Sequence, residues 1–286
     1  MKPRDAAMLV ALAALWGASF LFMRIAATPF GPIPMIAGRM FIAAIAFLPL
    51  IRRPEDFALM RGHWRPLLGN GLLSAAIPFC LLAYTSLSLT AGFTSLLNAL
   101  TPITTAVIAS LFWGHRLRRS QWVGLGLGLS GVAILCWGRM SFREGGSGWA
   151  IVTAVLATFC YGFGGNYAKR RFAHLPANIT AAGTLTGAAL ATLVPGAALW
   201  PAVNPSAIPW IAVVLLGILC TSVAYLLYFR LLLSATATQV ASVTFLVPVF
   251  AILWGALFLG EGLTLQMASA SVVILTGTAL ANGILR

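Results

Sequence analysis

Residues 98–115 read NALTPITTAVIASLFWGH, and residues 244–261 read TFLVPVFAILWGALFLGE. Both are almost wholly apolar, yet each carries a proline near its start, and the first adds an amide and three threonines. About 20 apolar residues span a bilayer as a helix. A proline inside such a helix removes one backbone donor and strands the carbonyl four residues earlier. Where no water reaches, that carbonyl needs a partner or a polar cavity. A chain that does this twice at corresponding places invites a reading as a duplicated structure.

Composition sets the class. Of 286 residues, 60% are hydrophobic and 8% are charged. A soluble domain carries about 25% charged residues to solvate its surface, so this chain is solvated by lipid. The net charge of +13 would point to nucleic acid in a soluble protein. Here the cations sit in short clusters between apolar runs, which is the pattern of membrane topology, and no nucleic-acid partner is expected. Cys80, Cys136, Cys160 and Cys220 each fall inside an apolar segment without a C-x-x-C spacing. They read as small hydrophobes, with no disulfide framework and no metal set. His63, His115 and His174 fall in loops and make no ligand set. The apolar stretch from Ala6 to Ala27 outruns the roughly 7–15 residues of a signal-peptide core, and is read as a retained first helix.

Hydropathy places ten spans, near 6–27, 34–51, 65–87, 91–113, 121–138, 147–168, 176–199, 208–230, 237–259 and 264–284. Cations fix the sides. With the N-terminus inside, the inner face collects Lys2, Arg4, Arg52, Arg53, Arg61, Arg65, Arg116, Arg118, Arg119, Lys169, Arg170, Arg171, Arg230 and Arg286. The outer connections TPFGPIP, WPAVNPSA and GEGLT, and the turn near Leu89, carry none, and Arg139 and Arg143 alone break the pattern. Excess cations mark the cytoplasmic face, so both termini are expected there.

A shift of 146 residues brings Ala91 onto Ala237, Leu100 onto Leu246, Pro102 onto Pro248, Phe112 onto Phe258, Gly114 onto Gly260 and Gly131 onto Gly277. With one residue of slip, LWGASF (15–20) falls on CYGFGG (160–165), matching Trp16 with Tyr161 and Gly17 with Gly162. Each half holds five spans, an odd number, so the second is threaded upside down. The charges agree, since basic HRLRR (115–119) corresponds to EGLTL (261–265), and neutral TPFGPIP to KRRFAH (169–174). The expected fold is therefore all-α and membrane-integral, with ten transmembrane helices in two inverted five-helix repeats, 1–140 and 141–286. Inverted repeats mark secondary transporters that hold substrate near the midplane between the halves.

The two central prolines followed by LFWGHRLRRSQWVG and LFLGEGLTLQMAS, with WGASF in the first helix, resemble the EamA-type repeats of the drug/metabolite transporter superfamily. Within it the chain is most similar to the YddG-type exporters of aromatic amino acids and related metabolites. The resemblance covers the whole chain and implies a carrier of the bacterial cytoplasmic (inner) membrane. The first half departs from the pattern, with His115 where the second has Glu261.

Candidate substrate-binding residues follow from polar and aromatic stripes. Thr94, Asn98, Thr101 and Thr105 share one face of the fourth span. Such a stripe either bonds helix to helix or lines a cavity. Pro102 frees the carbonyl of Asn98, and Pro248 is expected to act alike in the other half. Trp16, Ser19 and Phe20 lie on the first span, Phe79 and Tyr84 on the third, and Tyr161 and Asn166 on the sixth. Thr221 and Tyr225 lie on the eighth span, and Ser242 opens the ninth. Aromatic faces beside a hydroxyl or amide suit a flat amphipathic metabolite, though such rings also pack or anchor. Arg24 and Arg39, on the first and second spans, either snorkel to the outer surface or attract a carboxylate or face the cavity. Asp5, Glu55, Asp56, Glu144 and Glu261 all sit at ends or in loops, leaving no midspan carboxylate to carry a proton or sodium ion. GLGLGLSG (124–131) superficially matches a dinucleotide loop, but inside an apolar span its small residues instead let helices approach closely.

The sequence thus reads as a transporter exporting aromatic or apolar amino acids and related small metabolites by alternating access, with membrane lipid as its other partner. No cofactor, metal or catalytic residue is expected, and nothing demands more than a monomer. A carrier of sugar phosphates or nucleotide sugars would need cations facing the cavity, so the placement of Arg24 and Arg39 separates the two readings. A membrane-embedded lipid-modifying enzyme would need a carboxylate pair, a metal set or a nucleophile with its base, and the sequence offers none.

Overall fold

A computed structural model of the chain describes residues 2–51, 53–143 and 145–282. Arg52, Glu144 and Arg286, which entered the charge reading, lie outside the described residues. Among those described, every regular element is a helix.

Eight helices are long and apolar enough to cross a membrane. They are α1 (Pro3–Phe30), α2 (Pro32–Leu50), α3 (Trp64–Ser88), α4 (Ala91–Trp113), α6 (Gly148–Arg171), α7 (Ala177–Ala198), α8 (Ala207–Ser234) and α9 (Gln239–Leu259). Two shorter helices, α5 (Arg119–Cys136) and α10 (Leu265–Ala281), occupy the places of the fifth and tenth expected spans. α5 begins with Arg119, Ser120 and Gln121, which leaves little more than four apolar turns, so ten crossings require these two to cross together. They pack on each other along their lengths. Large apolar side chains such as Leu111, Val194 and Leu265 point outward, at 72%, 74% and 87% exposure, which is a lipid-facing exterior. Leu12, Met35, Met40, Leu96 and Ile179 fill the interior.

Packing obeys the expected duplication. α1 lies on α8 and α9, while its counterpart α6 lies on α3 and α4. α2 meets α7, and α5 meets α10. Exchanging the halves returns these same pairings. Small residues mark the crossings. A Cβ at Gly17 would strike Phe250 and Ala251 of α9, and one at Gly162 would strike Thr104 and Thr105 of α4. Gly124 and Gly131 of the glycine run lie against the α10 backbone at Gly277 and Ile274, while a Cβ at Gly128 would strike Ile103 of α4. Close approach is the reason for that run. The four cysteines are free.

Two irregularities shape the centre. α4 breaks at Ala99 and Leu100, between helical segments Ala91–Asn98 and Thr101–Trp113. Pro102 has no N–H for the Asn98 carbonyl, and the Thr101 hydroxyl donates to that carbonyl instead, at 2.7 Å. In α9 the break falls at Ser242, not beside Pro248, which lies within the regular segment Val243–Leu259. This corrects the expectation that both prolines act alike. The hydroxyls of Ser242 and Thr244 donate to the carbonyls of Gln239 and Ala241, at 2.6 and 2.8 Å, and draw the turn to that point. α3 and α8 each widen into a π-turn, at Leu72–Ala76 and Ile218–Val223, whose first residues are 146 apart. The sequence reading did not foresee them, and such turns recur at functional sites.

Candidate functional site

Arg39 lies between the π-turn of α8, whose Thr221 it bonds, and Phe79, three residues beyond the π-turn of α3. Arg39 is the eighth of sixteen in the helical segment Pro32–Phe47, so it sits at mid-length of α2. It is 2% exposed. The sequence left open that it snorkels to the outer surface, and the structure corrects that alternative, because about 10 Å of helix separates its Cα from the nearer end at Pro32 and its side chain is enclosed. Its Nε donates to Thr221 Oγ1 of the α8 π-turn at 3.0 Å, and Nη1 lies 4.0 Å from Met23 Sδ. Its guanidinium carbon stands 3.8 Å from the centroid of the Phe79 ring. Thr221 can accept because its own hydrogen goes to the Leu216 carbonyl at 2.8 Å, five residues back across the widened turn.

Aromatic rings from both halves complete the surroundings. Tyr161 of α6 meets Phe79 at 6.0 Å, and the Arg39 charge acts on both Tyr161 and Tyr225. Tyr225 lies against Phe47 and Phe229, and Tyr228 joins Trp16 of α1 at 5.7 Å. Trp16, Phe79, Tyr161 and Tyr225, four of the sequence candidates, thus fall in two runs of touching rings, Phe79–Tyr161 and Trp16–Tyr228–Phe229–Tyr225–Phe47, which Arg39 joins into one ring chain. All four are half-buried. The hydrogen bond from Arg39 to Thr221 is worth about 1.5–3 kcal/mol and the desolvated Phe79 face about 2 kcal/mol. Neither supplies negative charge. Desolvating a cation costs several kcal/mol even after relaxation, and among the described residues the centre offers this charge no counter-ion.

The remaining candidates divide. Thr94 is fully buried and donates to Thr90 O, and Thr105 donates to Thr101 O, so these hydroxyls bond within their own helix. Thr101 serves the break. Asn98 is different, since its Oδ1 is buried and has no hydrogen-bond partner among the described residues. Asn166 bridges α6 to α4, donating to Thr105 O at 3.0 Å and Gly162 O at 2.9 Å. Ser19 and Phe20 are buried in α1, and Ser242 sits in the α9 break. Tyr84 is 44% exposed and stands outside the ring chain. Phe47 was not among the sequence candidates, and Arg39 was left between the outer surface, a carboxylate partner and the cavity. An arginine at the centre of an apolar span, with no acid nearby in sequence, was the available signal.

Each end of the bundle carries its own polar cluster. On the side where α1, α3 and α9 end, Arg24 forms an ion pair with Glu261 at 3.6 Å and donates to the carbonyls of Ser86 and Leu87, at 2.6 and 2.9 Å. Glu261 Oε2 also accepts from the Ala91 N–H at 2.9 Å. One salt bridge therefore ties α1, the end of α3, the start of α4 and the α9–α10 loop, beside a cavity of about 480 Å³. Arg24 thus attracts a carboxylate, the alternative to free snorkelling. Burial holds the Glu261 carboxyl above its ordinary pKa, against the Ala91 N–H and the Arg24 charge, which favour the anion.

At the opposite end a cavity of about 590 Å³ is lined by His115, Arg116, Arg118, Lys169 and Arg170, with Gln121 and Asn166 and without an acidic side chain. Arg170 lies 3.2 Å from His115 Nε2 and over the Trp113 ring. In the 146-residue frame His115 corresponds to Glu261, and Arg170 to Arg24. The two ends are thus built from the same positions, one as an ion pair and the other as an arginine–imidazole contact. Asn166 in the wall of this cavity is five residues from Tyr161, about 7.5 Å along α6.

A lipid-solvated bundle of two packed repeats, with polar groups at its centre and at both ends, is the build of a membrane carrier. The EamA-like transporter family model matches residues 5–137 and again 148–283, so the chain belongs to that family. The uncharacterized transporter YvbV of Bacillus subtilis is 27% identical over 98% of this chain and 92% of its own. The uncharacterized inner membrane transporter YedA of Escherichia coli is 28% identical over 90% of this chain and 83% of its own. A probable terminal-alkyne amino-acid exporter of Streptantibioticus cattleyicolor is 26% identical over 54% of this chain and 52% of its own. A crystal structure superposes with a TM-score of 0.66 at 19% identity, covering 99% of this chain and 98% of the other, which establishes likeness of fold.

Proposed function

We propose that the chain is a secondary transporter that exports amino acids with aromatic or apolar side chains, and related small metabolites, across the bacterial inner membrane by alternating access. The observation that carries this reading is the ring chain of Trp16, Phe79, Tyr161 and Tyr225, drawn from both repeats around a buried polar centre. Flat apolar faces with a hydrogen-bonding core fit a small amphipathic solute. The partial likeness to a probable amino-acid exporter supports the same class.

In this proposal residues 1–140 and 141–286 form two antiparallel units, and both termini face the cytoplasm. The basic cavity is then the inner mouth, and the Arg24–Glu261 pair closes the outer one. The solute meets the ring chain between them, and the breaks in α4 and α9 flex as the units rock. The test is efflux of labelled phenylalanine, leucine and glutamate from liposomes holding only this protein. Faster release of the first two than from empty liposomes supports the reading, and no release above background of any of them rejects it.

Arg39 also bears on carriage of sugar phosphates, which needs cations at the centre. One cation balances one negative charge, whereas a phosphate monoester carries nearly two at neutral pH. Arg24, the other intramembrane cation weighed from sequence, is engaged by Glu261. The same liposomes loaded with labelled hexose phosphate separate the readings.

A further inference from the structure

We infer that Arg39 is the specificity-determining residue of the transport site, and that it selects solutes by a single carboxylate rather than by an amine. The inference rests on the transport-site reading above and names the chemistry that site accepts.

Arginine stays charged inside proteins and presents five N–H donors in a planar fork. Here Nε is directed to Thr221 Oγ1, and Nη1 has only the soft contact with Met23 Sδ. Nη2 makes no hydrogen bond to the described residues, so the Nη1–Nη2 edge keeps the geometry that grips a carboxylate with two parallel bonds. Phe79 covers one face of the guanidinium, which directs an incoming anion to that edge.

No acidic side chain among the described residues balances this charge. Asp5 accepts from Ser234 Oγ at 2.9 Å, Glu55 and Asp56 lie in the surface helix Pro54–Gly62, and Glu261 pairs with Arg24. The groups on which the Arg39 charge acts are Cys220, Tyr161 and Tyr225, all neutral. An ionisable side chain inside a membrane bundle faces a pathway or a partner, and here the partner comes with the solute. The same absence of acids bears on the other end of an amino acid. An ammonium group finds ring faces and hydroxyls at this centre but no carboxylate, so it is accommodated and not required. The expected substrates are monocarboxylates with a flat or apolar tail, amino acids among them.

The experiment uses the full chain in liposomes, with labelled phenylalanine as solute and four unlabelled competitors. Phenylalanine and 3-phenylpropanoate are expected to compete within about tenfold of each other. Phenylalaninamide and phenethylamine should be weaker by about 10- to 100-fold, the worth of a charge-assisted hydrogen-bonded pair. Arg39→Met should abolish uptake of the acids while unfolding in detergent at the same or a higher temperature than the parent, since it removes a lone buried charge. Arg39→Lys should restore part of the uptake. Equal competition by acid and amide in the parent overturns the inference, and so does undiminished phenylalanine uptake by Arg39→Met. If Arg39→Met does not fold, the acid-versus-amide comparison in the parent decides alone. If the parent moves no amino acid, the proposed function fails separately. The carboxylate rule is then read from thermal stabilisation of the parent by 3-phenylpropanoate against its amide, and equal stabilisation overturns it.

Discussion

The crossing of α1 with α9 and its counterpart, α6 with α4, make a matched pair whose tolerance to one methyl group differs. Alanine at position 17 would set its Cβ 2.6 Å from Phe250 Cβ and 2.9 Å from Ala251 N. Carbon contacts settle near 3.5–4.0 Å, so the helices must part by about 1 Å at that point. Alanine at position 162 would meet Thr105 N at 3.0 Å and Thr104 C at 3.1 Å, which asks for about half that movement. The obstacles are main-chain atoms or a Cβ, so no rotamer change relieves them. Overpacking costs about 1–3 kcal/mol, and alanine recovers up to about 1 kcal/mol of helix propensity over glycine. Gly17→Ala should therefore destabilise the protein by about 1–2 kcal/mol, while Gly162→Ala should fall within about 1 kcal/mol of the parent. Equilibrium unfolding in mixed micelles, followed by tryptophan fluorescence, measures both. A Gly17→Ala protein as stable as the parent, or a Gly162→Ala protein less stable than Gly17→Ala, would refute the packing of the two repeats described here.

Other outcomes follow from the polar clusters. Because burial raises the Glu261 pKa, the closed outer face binds a proton more tightly than an open, solvated one. Closure is strengthened as outside pH falls through the raised pKa, and gains nothing well above it. Stepping the outside buffer down through the acid range should slow efflux, and Glu261→Gln should remove the step. Thr221→Val leaves Arg39 Nε without its acceptor and should destabilise the protein by about 1.5–3 kcal/mol, but by much less when Arg39 is already methionine. The same unfolding assay checks both, and equal losses in the two backgrounds would mean that Thr221 acts through its packing alone. For the proposed topology, Lys2→Cys should react with an impermeant thiol reagent only from the cytoplasmic side. Val203→Cys, at a site 81% exposed, should react only from outside. A shared side for the two would end the antiparallel arrangement.

Long apolar runs and a 146-residue recurrence were enough to place the helices and to match the two halves, because hydrophobic length and a fixed offset are properties of the sequence itself. Trp16, Phe79, Tyr161 and Tyr225 were legible as aromatic positions on separate spans, and packing then brought them together. Arg39 was not resolved, because its depth depends on where α2 begins. A start at residue 34 puts it sixth in the span, while the observed start at Pro32 puts it eighth, about 3 Å deeper, and packing then encloses it. The π-turns left only a faint mark, Gly71 and Gly217 in the same frame just before each. Tyr84 was included as a third-span aromatic, but a side chain's facing beyond an irregular turn cannot be counted from helical spacing, and it points outward. The break in α9 moved to Ser242 because neighbouring hydroxyls can compete with a proline for where a helix yields.

The unequal clusters at the two ends have a further meaning. A freshly duplicated carrier would own two identical catches and rest on either side with equal ease. Here divergence at one matched position has put an acid opposite Arg24, while its twin places an imidazole opposite Arg170. On the proposed topology the outward door carries a partly buried carboxyl bonded to the main chain and to arginine, and the inward door an arginine–imidazole contact. One diverged position is thus sufficient, on that topology, to make the two doors of a symmetric machine unequal.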